Sequence, residues 1–157
     1  GRIKTETNKT DPKAVIKDLS VLKMIENSFE NGILALYPKS EQEPYKILRN
    51  YWSAVTETFP KAWGLPPRQS RLTHGVGIVS MGYLMDAIIG RLRAEKVATA
   101  IPFIKRELKR FQDLPWCSGV WEFSEDLMMP WDQVQNTNLH IGMVSNFLVR
   151  EIQISCQ

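Results

Sequence analysis

The run RLTHGVGIVSMGYLMDAI, residues 71–88, constrains the fold more than any other part of this 157-residue chain. An apolar segment with glycines at 75, 77 and 82 has three fates to weigh: a phosphate-cradling loop, a bilayer span, or a buried helix that lets a neighbour come close. The dinucleotide fingerprint G-x-G-x-x-G would need glycine where Ser80 stands and a strand before it, which PPRQSRLTH is not. A G-x-x-x-x-G-K-[ST] loop matches Gly77 and Gly82, but Tyr83 and Leu84 replace the lysine and hydroxyl that hold phosphate and magnesium. As a membrane span, the run from Gly75 to Gly90 has 16 residues and carries Asp86, short of the roughly 20 apolar residues a bilayer needs. A buried helix over about 73–93 remains. Gly75 and Gly82 lie seven residues apart, two turns, and so share one face as expected helix-packing positions; Gly77 does not share it.

Elsewhere prolines punctuate segments of helical period. A first helix is expected from Asp11 as N-cap with Pro12 at its first position, burying Val15, Leu19, Leu22, Ile25 and Phe29. NGILALYP reads as a short extended piece, and Ser40 to Glu43 has capping-box spacing. Tyr45, Leu48, Trp52, Val55 and Phe59 form the stripe of a second helix that Pro60 stops. The PP pair at 66–67 marks a loop anchored by Trp63 and Leu65. Ile101, Ile104, Leu108 and Phe111 define a later helix. PWCSGVWEFSEDLMMPWDQVQNT reads as irregular, and a last helix runs from Thr137 as N-cap to about 153 over Ile141, Val144, Leu148 and Ile152. The expected fold is mostly α: one helical domain of about five helices with long Pro/Trp-rich loops. It spans 11–157, with 1–10 a linker or the edge of a longer chain. Because the chain opens on Gly1 rather than Met, the expectation is a fragment of a longer protein.

Hydrophobic residues at 43% and charged residues at 24% fit a folded globular domain and exclude disorder. Two cysteines, Cys117 and Cys156, lack CxxC spacing or a histidine cluster, which argues against a disulfide framework or zinc site and fits a cytoplasmic protein. No cofactor or metal is expected. Glu122, Glu125 and Asp126 with His140 could be written as acid/base chemistry, but no nucleophile elbow or fixed spacing supports it, so no catalytic residue is expected. His74 and His140 read as polar or capping residues, and the five tryptophans as core and loop anchors.

The charge is uneven: residues 58–110 hold ten Lys/Arg against three acids, +7, and the rest of the chain −4. In IKRELKRF, with Ile104, Leu108 and Phe111 inward, Lys105, Arg106, Lys109 and Arg110 project to the flanks and outer face. There, with Arg68 and Arg71, they are candidate phosphate contacts. The bland alternative is an ordinary amphipathic helix with Glu107 as compensation.

Three segments carry a resemblance: YKILRNYWSAVTETFPKAW, RLTHGVGIVSMGYLMDAI and PWDQVQNTNLHIGMVSNFLVREI. Tyr51, Ala54, Val55, Phe59, Pro60 and Trp63 match the first pattern; Leu72, Thr73, Gly75, Val76, Gly77 and Leu84 the second; Trp131, Gln135, Asn136 and Thr137 the third. Together they resemble the C-terminal half of DGQHR-domain proteins, the family that includes DndB proteins of DNA sulfur modification, over about 45–152. The string D-G-Q-H-R itself is absent; the resemblance implies that it lies upstream, that the chain is the C-terminal part of a longer protein whose N-terminal domain is missing, and that no catalytic residue carries over. The resemblance implies a bacterial cytoplasmic module linked to DNA modification, defence or regulation of those genes, with DNA as a partner. The competing expectation is a structural or homo-oligomerisation domain that supports an upstream domain without binding nucleic acid. Neither involves a membrane.

Overall fold

The computed structural model describes residues 2–4, 14–38 and 40–154. Among them lie six α-helices: α1 Asp18–Asn31, α2 Glu43–Thr58, α3 Pro60–Trp63, α4 Gly75–Ala94, α5 Ile101–Leu108 and α6 Asn138–Ile154. Two strand pairs complete the fold, β1 Arg2–Lys4 parallel to β2 Ala14–Lys17 and β3 Val120–Ser124 antiparallel to β4 Leu127–Pro130. The chain is mostly α, as its periodicity predicts.

Helix α4 is the centre: α1 and α6 both pack along it, while α2 pairs with α5. It runs to Ala94, past the 16-residue apolar run, so by length and composition it could cross a bilayer. Instead 67% of its most apolar window is buried inside the fold. Tyr51 of α2 is fully buried and donates to the Met81 carbonyl at 2.6 Å, pinning α2 to the middle of α4.

The glycines admit neighbours. A Cβ on Gly82 would run into Met24 Cγ of α1, and one on Gly75 would lie 2.9 Å from Ser20 Oγ of the same helix. Gly77 has the tightest surroundings of the three: a Cβ there would overlap the Arg71 carbonyl oxygen and lie 2.8 Å from Leu72 Cα. Its partner is the chain's own preceding turn, which a helix-face argument does not include.

Helix α1 differs from the sequence expectation. Asp11 and Pro12 lie outside the described residues, residues 14–17 are strand, and the buried face is Ser20, Met24 and Ser28. Leu19 and Leu22 of the expected stripe are 73% and 52% exposed. Small side chains let α1 approach the glycines of α4, which turns the leucines outward. Residues 33–36 form a 3-10 turn rather than an extended piece, and α2 starts at Glu43 with Gln42 before it and no side-chain cap from Ser40. The core face of α2 is Ile47, Tyr51, Ala54, Val55 and Thr58. That face is rotated from the expected stripe, and Tyr45 is 62% exposed.

The C-terminal helix follows its sequence. Ile141, Val144, Leu148 and Ile152 are all buried, each burial contributing about 1.5–3 kcal/mol before ordering costs. The segment read as irregular holds the β3–β4 hairpin, in which buried Trp121 alternates with exposed Val120 and Glu122. Trp121 stacks on Phe123 at 5.7 Å and meets Trp116 edge-on at 5.2 Å, so these tryptophans anchor the core.

Candidate functional site

Two cationic regions bear on function: the entrance of α4 and the outer side of α5. At the entrance a recess of about 320 Å³ is lined by Lys17, Arg68, Arg71, Thr73, His74 and Asn136. His74 is the N-cap of α4, its Nδ1 accepting from the Val76 N–H at 3.3 Å. The Gly77 and Ile78 N–H groups donate to the His74 carbonyl. The Val76, Gly77 and Ile78 N–H groups that a phosphate loop would aim at a ligand are thus engaged within the protein.

Arg71 is corrected from phosphate contact to internal brace. It is 6% exposed, and its guanidinium donates to three carbonyls: Trp131 at 3.1 Å, Pro67 at 2.9 Å and Asp132 at 3.0 Å. The group also lies 5.3 Å above the Trp131 ring. Buried, and with three of its five N–H groups bonded to main-chain carbonyls, Arg71 is placed as a brace rather than as a phosphate contact. Arg68, three residues earlier on the 66–69 turn, is exposed.

On α5 and the turn after it, Lys105, Arg106, Lys109 and Arg110 follow one another around a single acid, Glu107, whose side chain is 5% exposed. Arg110 bonds Glu107 at 3.0 Å, Arg91 lies 3.6 Å from the same carboxylate, and Lys105 pairs with Glu57 at 3.1 Å. Arg106 stacks over Phe103 with its side chain 57% exposed, and Lys109 is exposed. The structure therefore brings these four together, separates them from Arg71, and leaves Arg106 and Lys109 the most open to a ligand.

The acid/base candidates are dispersed in role. Glu122, Glu125 and Asp126 are exposed on the hairpin, while His140 Nδ1 accepts from the Gln135 N–H at 2.8 Å. No group of three or more metal-ligating side chains occurs among the described residues. The QNT segment closes α6: Thr137 Oγ1 accepts from the His140 N–H at 3.2 Å, and Gln135 Nε2 donates to the Asp132 carbonyl.

Sequence reasoning missed Asp86. Its Oδ1 accepts from Ser28 Oγ at 2.6 Å and from the Ile33 N–H at 3.0 Å, holding the end of α1 and the 3-10 turn against α4. Burial raises its pKa, with the two hydrogen bonds opposing that rise. An acid inside an apolar run was itself the signal, since such a group needs partners.

His74 gives a pH test. Its imidazole is half-buried, and burial first, then Arg71 and Lys17, lower its pKa from 6.5 to about 4. The unfolded chain therefore binds the proton more readily, and stability falls as pH drops from about 6.5 toward 4. Allowing for solvent screening of a half-exposed group, the expected loss is about 1–2 kcal/mol. His74→Asn keeps a cap acceptor, so urea midpoints at about pH 7 and pH 4.5 should converge relative to the wild type. An unchanged gap between the two midpoints would remove His74 from the acid response.

Comparisons with known protein families, curated proteins and solved structures give no match to this chain.

Proposed function

We propose that the chain is a non-catalytic helical module of a DGQHR/DndB-like protein, serving bacterial DNA modification, defence or the regulation of those genes, and that α5 contacts nucleic-acid phosphates. One observation carries the phosphate reading: the only acid of the IKRELKRF run is buried, so the outer side of that run presents cations alone. Arg106 and Lys109 are the contacts, Lys105 being held by Glu57 and Arg110 by Glu107 and the Glu151 carbonyl. Neutralising about two phosphates gives a salt slope near −1.8, so affinity for a duplex should fall about 12-fold between 50 and 200 mM salt. Fluorescence anisotropy with a short DNA duplex measures this, and Arg106→Glu with Lys109→Glu should weaken binding at least about tenfold. Binding that ignores salt, or no binding at all, would sink the reading.

A second reading, a homo-oligomerisation domain that supports an upstream domain, is favoured by one patch. Leu19 and Leu22 on α1 and Leu139 on α6 are 73%, 52% and 71% exposed. The two helices are adjacent there, Lys23 Nζ reaching Asn138 Oδ1 at 3.4 Å. Light scattering on the same sample separates the readings: a stable dimer without DNA affinity selects the second.

A further inference from the structure

The β3–β4 hairpin has two faces of different character. Trp121, paired with Met129, turns inward against Trp116 and Phe147. Strand alternation then turns Val120 and Glu122 outward, together with their cross-strand partners Pro130 and Met128. Val120 is 48% exposed and Met128 58%, and Leu127 at the turn is exposed as well, so this small sheet shows an apolar face to solvent. Acids frame it. Between Arg110 and Arg150 the chain has five acids and no lysine or arginine, and three of those acids, Glu122, Glu125 and Asp126, stand exposed on the hairpin. Among the described residues none of the three forms an ion pair. Residues 119–138 are all described, so no further side chain of the hairpin alters this charge.

Helix α5 carries the opposite surface. Pro102, Phe103, Arg106 and Lys109 lie on its exposed side, while Ile104, Glu107 and Leu108 are buried. Phe103 is 37% exposed, and the Arg106 guanidinium sits 5.4 Å above its ring. One chain therefore bears an apolar face rimmed by unpaired carboxylates and an apolar helix face rimmed by cations. No ion pair joins the two within the chain among the described residues. Matching apolar centres with rims of opposite sign are what steer two protein surfaces together and fix their register.

We propose that the hairpin face docks α5 of a second copy of this chain, Phe103 packing on Val120 and Met128 while Arg106 and Lys109 lie among Glu122, Glu125 and Asp126. Two such contacts made reciprocally close a twofold dimer. Because its charges lie at an exposed rim, the association weakens with salt. The contact is separate from the leucines of α1 and α6, and it does not rest on the phosphate reading. Any duplex held by Arg106 and Lys109 competes with it.

Sedimentation equilibrium of the whole chain tests the assignment. It should show a dimer at about 50 mM salt, with a dissociation constant at least about tenfold higher at about 500 mM. Glu122→Lys with Glu125→Lys, and separately Arg106→Glu with Lys109→Glu, should each weaken the dimer at least about tenfold, since each sets like charges against one another. An equimolar mixture of the two variants pairs each reversed face with its reversed complement, and should regain the wild-type dimer constant within about threefold. All four side chains are exposed, and circular dichroism confirms that each variant folds. The hairpin variant keeps the α5 cations, so its anisotropy with duplex DNA reads the phosphate proposal on its own. Three results would each overturn the contact: a chain that stays monomeric, even one that binds an arginine-rich peptide; a dimer indifferent to salt and charge reversal, as leucine packing between α1 and α6 would give; or a mixture that does not reassociate.

Discussion

Replacing Arg71 with methionine is expected to destabilise the fold by about 3–5 kcal/mol and to lower the thermal midpoint by roughly 10–15 °C. The side chain is buried, and its three guanidinium bonds end on carbonyls of two distant segments, the turn at Pro67 and the connection at Trp131 and Asp132. Methionine fills similar volume but removes all three bonds; Asp132 keeps the Gln135 amide and Trp131 a long bond from the Val134 N–H, while Pro67 loses its guanidinium donor. Arg71→Lys keeps the charge but has no fork to span three acceptors, so it should recover less than half of the loss. Thermal denaturation followed by circular dichroism reads both variants. A shift below about 1 kcal/mol for Arg71→Met would mean that the 66–73 turn holds its place without the brace. Because Arg71 does not face solvent, neither variant should alter the salt slope for DNA at temperatures where it is folded.

The second large effect is expected at Gly77. In Gly77→Ala the new methyl would overlap the Arg71 carbonyl oxygen and crowd Leu72 Cα, both backbone atoms that no rotamer change can move. The loss should exceed about 3 kcal/mol, at the upper end of overpacking effects. Gly82→Ala meets Met24, whose unbranched chain can shift, and should lose about 1–2 kcal/mol. Gly90→Ala meets nothing within 4 Å and should gain up to about 1 kcal/mol from helix propensity. The same chemical change at three positions of one helix thus separates backbone crowding, side-chain crowding and propensity. Denaturant midpoints that rank these three variants in any other order would contradict the packing described for α4.

The contrast between α6 and α1 shows where the sequence was legible. In α6 one apolar stripe faces one neighbour, so Ile141, Val144, Leu148 and Ile152 could be assigned by spacing alone. In α1 close approach to Gly75 selects Ser20 and the Asp86 carboxylate selects Ser28 for the interface, and the rule that places leucine inside fails at Leu19 and Leu22. For α2 the apolar residues serve two surfaces, the core and an apolar groove beside α1 lined by Tyr45, Leu48 and Trp52, which a single stripe cannot express. The cationic run of α5 was readable because helical neighbours stay together. Arg71 was not, because its acceptors are main-chain carbonyls about 60 residues away and leave no trace in side-chain spacing. The β3–β4 hairpin carried a short signal in the alternation around Trp121 and Phe123, hidden among turn residues and aromatics.

The central position of α4 has a consequence during synthesis. Its partner α6 is the last helix of the described chain, so on the ribosome α4 is made more than 40 residues before the surface that covers it. Throughout that interval the nascent protein displays a segment with the length and hydropathy of a bilayer span. Holdase chaperones and the membrane-targeting machinery both read such segments, and α1 and α2, already translated, are the shields available to it. The serines and glycines at the α1–α4 contact therefore govern how early the chain hides its most adhesive helix.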